Sequence, residues 1–136
     1  MSSDLNVEFA YMNPEVELAF NPVHQVAQQH ARFSVPVGGS ERREFRATLI
    51  REEFEETMEA LEAGTRAEVL KECADLAIVA IGTLIEMCGE EGALVVMRRV
   101  HVSNLSKLGA DGRPVLREDG KYLKGPNYKP PDLEDL

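Results

Sequence analysis

The chain has 136 residues, which suits a single domain, and its composition is globular: 43% hydrophobic, 29% charged and without tryptophan. The formal net charge of −9 argues against duplex nucleic acid or an anionic membrane surface as partner, since both need a basic patch. A nucleotide stays admissible, because a divalent cation bridges acidic protein to phosphate.

The longest apolar run, Leu76–Leu84, is about half of what a membrane span requires. The first residues, Met1-Ser2-Ser3-Asp4, lack the basic-then-apolar pattern of a secretory signal. Cys73 and Cys88 on one helix would stand roughly 22 Å apart, too far for a disulfide. Two reduced thiols in a cytoplasmic protein are the expectation.

Residues 1–12 carry no clear period and read as a tail, with 13–108 as a helical core and 109–136 as an irregular arm of one domain. Asn13-Pro14 and Asn21-Pro22 each pair an N-cap with proline at the first helical position. The second predicts a helix over 22–33, with Val23, Val26, Ala27, His30 and Phe33 on one face. Pro36, Gly38 and Gly39 break the chain. Ser40 is the expected cap of a long helix running through Ala63, with Glu44 one residue late for a capping box. Setting Glu52 at 0° and stepping about 100° per residue, Ile50, Phe54, Met58 and Leu61 fall at about 160–240°. That is the expected packing face. Glu52, Glu53 and Glu56 fall at about 0°, 100° and 40°, and Glu55 and Glu59 lie further round, on a solvated side.

Gly64 is the expected stop, and Thr65-Arg66-Ala67-Glu68 fits a capping box. The next helix, about 66–88, is apolar nearly all round, so burial on most sides is expected. Beyond its first turn, Glu72, Asp75 and Glu86 are its acidic residues. Gly89 ends it. A fourth helix from about Glu90 to Lys107 has Leu94, Met97, Val100 or His101, Leu105 and Leu108 as its expected inner stripe. Asp111-Gly112-Arg113-Pro114 and Asp119-Gly120 are turn signals. Between and after them, Val115-Leu116-Arg117 and Lys121-Tyr122-Leu123 suit a short hairpin, and Gly125 to Pro131 is extended by its prolines. The predicted class is all-α: an antiparallel bundle of four to five helices, completed by dimerisation because its central helix exceeds what one chain can cover.

Carboxylates in an apolar helix need a reason, because an unpaired buried charge is costly. Glu72 and Asp75 are three apart and share a face. Glu53 and Glu56 are three apart on the preceding helix, an antiparallel neighbour because the connection is short. The two pairs bring four carboxylates round one point, with Glu52 one step away as a fifth. Such charges do not all stay ionised without a counter-charge. Lys71 and Arg51 are near in sequence but are expected to point elsewhere. Oxygen-only ligands select Mg²⁺, Mn²⁺ or Ca²⁺ over zinc. A carboxylate-bridged di-iron site needs Glu-x-x-His motifs. The residues three before His24, His30 and His101 are Asn21, Ala27 and Arg98, so di-iron is set aside and the histidines read as packing or surface residues.

Glu52-Glu53-x-x-Glu56, then Glu72-x-x-Asp75 continued by Leu76-Ala77-Ile78, resembles the signature of the all-α nucleoside triphosphate pyrophosphohydrolases, which include MazG proteins, dimeric dUTPases and phosphoribosyl-ATP pyrophosphohydrolases. The resemblance spans roughly 20–108. It implies Mg²⁺ (Mn²⁺ as substitute) on Glu53, Glu56, Glu72 and Asp75. Glu52 would hold or deprotonate a water that attacks the α-phosphorus, releasing pyrophosphate and a monophosphate, or would bind a further metal. It also implies a nucleoside triphosphate substrate, a house-cleaning or pool-balancing role, and a homodimer or homotetramer. Asn104-Leu105-Ser106-Lys107 resembles the Asn/Lys substrate element of MazG-like proteins, and the arm suggests a flap with Lys121 and Lys124 on phosphates and Tyr128 near the base. The alternatives are a narrow dUTPase or dCTPase of the same fold, and a regulatory bundle that binds nucleotide or metal without turnover. The arm runs longer than in histidine-pathway enzymes of this kind, which sets phosphoribosyl-ATP in question.

Overall fold

The computed structural model describes residues 21–136. The expected tail over 1–12 and the Asn13-Pro14 cap lie outside the described residues. Three helices and one hairpin make up the described chain: α1 (Pro22–Arg32), α2 (Arg43–Ala63), α3 (Arg66–Leu105), β1 (Val115–Leu116) and β2 (Tyr122–Leu123). The class is mainly helical, as expected. The third and fourth expected helices form one run, interrupted at Gly89, whose φ of 76° and ψ of 178° are not helical. The chain divides there into two compact units, one ending at Glu90 and one spanning Glu91–Leu136. Among the described residues no helix is long and apolar enough to cross a membrane.

In the first unit, Asn21 caps α1, its Oδ1 accepting from the amide of His24 at 2.9 Å, with Pro22 at the first helical position. Val23, Val26, Ala27 and His30 are buried along one face. Phe33 is not part of that face: it follows the helix as its C-cap and is exposed. The loop after α1 then closes the end of the 66–88 segment of α3. The amides of Gly38, Gly39 and Ser40 donate to the carbonyls of Ile85, Met87 and Glu86 at 2.8, 3.3 and 3.1 Å. Those carbonyls stand next to the break, where a helix runs out of its own donors. Gly38 and Gly39 both have positive φ, which lets successive amides turn toward α3.

Ser40 does not cap α2, contrary to expectation. The N-cap is Arg42, without a side-chain cap bond, and the Ser40 hydroxyl donates instead to Glu86 Oε1 at 3.1 Å. The reason is charge: a buried carboxylate is a stronger acceptor, and more costly to leave unmet, than a helix-end amide is as a donor. Glu86 is 0% exposed. Arg42 donates to it through Nε and Nη2, and buried Arg46 through Nε. Arg46 also reaches His30 Nε2, while His30 Nδ1 donates to the Pro36 carbonyl at 3.1 Å. One buried carboxylate thus joins the inter-helix loop, α2 and α3. Gly82 lets His30 approach α3, since a Cβ there would lie 2.8 Å from His30 Nε2.

The expected packing face of α2 is overturned. Phe54, Met58 and Leu61 are 53%, 40% and 58% exposed, and the buried residues are Arg46, Thr57 and Ala60. These fall at about 120°, 140° and 80° on the wheel set by Glu52, so the helix is turned by about a quarter-circle from the expected orientation. A small side chain marks the inward face: Thr57 reaches the backbone of α3, donating to the Glu72 carbonyl at 3.1 Å, an approach that a larger apolar residue there would prevent. The 66–88 segment is likewise less covered than expected. Only Gly82, Ile85 and Glu86 are buried in it, and Leu70, Ala74, Ala77 and Ala80 are exposed. Thr65 and Glu68 do form the expected capping box, with amide-to-side-chain distances of 2.6 and 3.3 Å, and Gly64 is the C-cap of α2.

In the second unit, the expected stripe of the last helical stretch is also displaced: Met97, His101, Leu105 and Leu108 are exposed, while Ala93 and Ser103 are buried. Ser103 Oγ donates to the Lys129 carbonyl at 2.7 Å, and the Lys129 amide donates to Ser106 Oγ at 2.9 Å. The extended C-terminal stretch therefore covers a polar face of the helix. Arg99 holds Asp135 and the Asp132 carbonyl. β1 and β2 pair antiparallel, Val115 with Leu123 and Leu116 with Tyr122, as the hairpin signals suggested. Gly125 lies against the helix end, donating to the Lys107 carbonyl at 2.8 Å.

Arg42, Arg46 and Ser40 hold the Glu86 carboxyl down to about 2, against an ordinary 4.5, with Arg42 the largest cause and burial opposing. A depressed folded-state value means that this contribution is intact above pH 4.5 and is lost as pH falls toward 2. Glu86→Gln leaves a buried arginine unpaired and is expected to cost about 3–5 kcal/mol at neutral pH. Urea unfolding at several pH values checks both parts: the variant is less stable at pH 7, and its stability falls less steeply between pH 4.5 and 2 than that of the wild type.

Candidate metal centre

The rotation of α2 sets the site. Glu53, at about 100° on the wheel, lies on the same side as Thr57 and Ala60, so its carboxylate is carried into the seam with α3. Thr57 Oγ1 shares its proton between the carbonyls of Glu53 and Glu72, at 2.7 and 3.1 Å. One buried hydroxyl thus binds the two residues whose side chains meet just above it.

Ligand atoms of Glu53, Glu56 and Glu72 all lie within 4.8 Å of one another. Glu53 Oε2 and Glu72 Oε2 are buried and have no hydrogen-bond partner among the described residues. Burial pushes the Glu53 carboxyl above its ordinary value, reinforced by the charges of Glu56, Asp75 and Glu72 and opposed by Lys71. Two buried, orphaned carboxylate oxygens are a costly arrangement for a protein to maintain. Their donor set, oxygen only, fits a hard divalent cation.

Asp75, the fourth acid expected there, does not stand within that group of three. Its Oδ2 holds Lys71 Nζ at 2.9 Å, and the same ammonium lies 3.1 Å from Glu72 Oε1. Contrary to expectation, Lys71 does not point away from the acids. It reaches them because residues four apart on a helix are neighbours, and because four carboxylates draw the nearest flexible cation. Asp75 first, then Glu72, raises the Lys71 ammonium above its ordinary value. Glu52, Glu55 and Glu59 are exposed.

Asn104, Lys107, Lys121, Lys124 and Tyr128 all belong to the second unit. Asn104 is exposed near the end of α3 and Lys107 is half-buried just beyond it. The Lys124 ammonium lies over the Tyr128 ring, 4.7 Å from its centre, and Lys121 is exposed in the turn before β2. Two structural residues escape the sequence reading. Thr57 looks like an ordinary helix residue, and Glu86 reads as a third acid in an apolar segment without a role. The arginines at 42, 43 and 46, three and four positions apart, are the signal that points to the partner of Glu86.

Thr57→Val keeps the shape and removes the hydroxyl. The expected loss is about 1 kcal/mol, read as a lower urea midpoint at unchanged slope, with Thr57→Ser close to wild type. A valine variant as stable as wild type would show that the hydroxyl does not hold the seam.

The model of the phosphoribosyl-ATP pyrophosphohydrolase family matches residues 27–88. No curated protein matches the chain. The matched stretch holds most of α1, all of α2 and α3 as far as the Gly89 break. Glu52, Glu53, Glu56, Glu72 and Asp75 lie inside it, and Asn104, Lys107, Lys121, Lys124 and Tyr128 lie outside. The acidic pattern falls inside that match: over residues 27–88 the chain is similar to the phosphoribosyl-ATP pyrophosphohydrolase family, which belongs to the MazG-like nucleotide pyrophosphohydrolase superfamily.

Proposed function

We propose that the chain is a Mg²⁺-dependent nucleotide pyrophosphohydrolase that cleaves a nucleoside or deoxynucleoside triphosphate to the monophosphate and pyrophosphate. The observation that carries this reading is the pair of buried, unpartnered oxygens on Glu53 and Glu72, with Glu56 beside them. Glu53, Glu56, Glu72 and Asp75 are the residues that would hold Mg²⁺, with Mn²⁺ as a substitute. When bound, the cations would neutralise the triphosphate and so lower the charge barrier to attack at the α-phosphorus. Glu52, exposed and one residue along α2 from Glu53, would orient or deprotonate the attacking water. Asn104 and Lys107 would contact the substrate. Lys121, Lys124 and Tyr128 would form a flap, the lysines on phosphates and the tyrosine near the base. The role is clearing or balancing a nucleotide pool in the cytosol.

A second reading, phosphoribosyl-ATP as substrate, is favoured by the family match over residues 27–88. A panel of the common nucleoside triphosphates, dUTP, dCTP and phosphoribosyl-ATP, assayed for pyrophosphate with Mg²⁺ and Mn²⁺, separates broad, narrow and histidine-pathway substrates. Pyrophosphate from at least one of them is expected. Glu56→Gln, whose residue is exposed, is expected to abolish turnover at unchanged helicity by circular dichroism. Full activity in that variant would defeat the metal assignment. Mg²⁺-dependent nucleotide binding without product over hours would instead indicate a regulatory bundle.

The active form would be a homodimer or a homotetramer built from dimers. Support comes from the exposed apolar face of α2, Phe54, Met58 and Leu61, and from Leu70 of α3. Contiguous apolar surface of this kind is typical of interfaces. Analytical ultracentrifugation is expected to show a dimer or larger, shifted toward monomer by Leu61→Glu. A monomeric wild type at high concentration would reject this assembly.

A further inference from the structure

The acidic seam holds a cation of its own. Glu72 faces two ways: its Oε2 is one of the buried, unpartnered oxygens beside Glu53 and Glu56, while its Oε1 lies 3.1 Å from Lys71 Nζ. The same ammonium lies 2.9 Å from Asp75 Oδ2. Among the described residues, Lys71 is the one cationic side chain ion-paired to any of these four acids. It lies on the solvent side, its side chain 65% exposed, on a four-carbon stem that can swing away without moving α3. An ammonium and a hard divalent cation seek the same oxygens. They cannot both sit on Glu72 and Asp75 at contact distance.

We propose that Lys71 is an internal competitor for the cation site. Its ammonium occupies Glu72 and Asp75 and keeps Asp75 out of the group formed by Glu53, Glu56 and Glu72. A divalent cation must displace it before all four acids can serve as ligands. The inference rests on the reading of this seam as a cation site. It adds that the affinity of the site is set by a lysine that is not itself a ligand. The exchange has a consequence for the order of binding: displaced Lys71 stays tethered at the mouth of the seam as a free positive charge, suited to an anion that arrives with the cation.

The test measures Mn²⁺ binding directly, by electron paramagnetic resonance of free Mn²⁺, on the full chain without nucleotide. Lys71→Gln is expected to bind Mn²⁺ at least about fivefold more tightly than wild type, the factor that one unit charge about 4 Å away is worth in bulk water. Lys71→Arg, which keeps the charge, is expected to stay near wild type. Arg66→Gln removes an exposed positive charge one turn and a half earlier on α3 and controls for overall charge; its gain is expected to be much smaller. A smaller gain in Lys71→Gln, tightening in Lys71→Arg, or an equal gain in Arg66→Gln overturns the proposal while leaving the cation site standing. Absence of Mn²⁺ binding in wild type and Lys71→Gln alike overturns the cation site and the proposal together.

Discussion

Thr57 ties α2 to α3 through one buried hydroxyl. Its hydroxyl reaches the carbonyls of Glu53 and Glu72 at once, which a short side chain can do only where the two backbones stand close. That close approach governs the rest of the first unit. It turns Glu53 inward and strips water from one oxygen each of Glu53 and Glu72. It also turns the large apolar residues of α2 away from the chain's own interior. A seam built from bulky side chains would hold the helices apart and leave the acids solvated, where they would have no more meaning than most glutamate runs.

A second constraint keeps the frame in register. Glu86 is buried with two arginines and a serine from the segment that opens α2, and the loop amides of residues 38–40 close the helix just beyond it. The first unit thus uses two buried acidic devices of opposite character. Glu86 is fully partnered and serves as an anchor. Glu53 and Glu72 keep unpartnered oxygens, and a satisfied network is as stabilising as an unsatisfied one is costly. Carboxylates of the second kind are the ones with capacity left for a ligand.

The uncovered apolar face has the same origin. Burying Thr57 and Ala60 leaves Phe54, Met58 and Leu61 outward, and leaves Leu70 and the alanines of α3 exposed. Among its described residues, the first unit buries few large side chains. The geometry that brings the acids together and the geometry that leaves this apolar face uncovered come from a single helix rotation.

Local features were legible from the sequence alone. Asn21-Pro22, the Thr65–Glu68 box, Gly64, Gly89 and the Asp-Gly turns around the hairpin all depend on hydrogen bonds and backbone angles within a few residues, and their residue types announce them. The spacing of Glu53, Glu56, Glu72 and Asp75 was legible too, because helical periodicity places them, and that spacing carried the resemblance to the pyrophosphohydrolases. Only the tertiary structure decided which face of α2 meets α3, which serine and arginines hold Glu86, and that Asp75 pairs with Lys71. A hydropathy wheel assumes that the most apolar face turns inward. Here backbone proximity through small residues outweighed apolar area within the chain, and a flexible lysine went to the strongest nearby negative charge. Both outcomes depend on distances between helices, which no pattern along one helix contains.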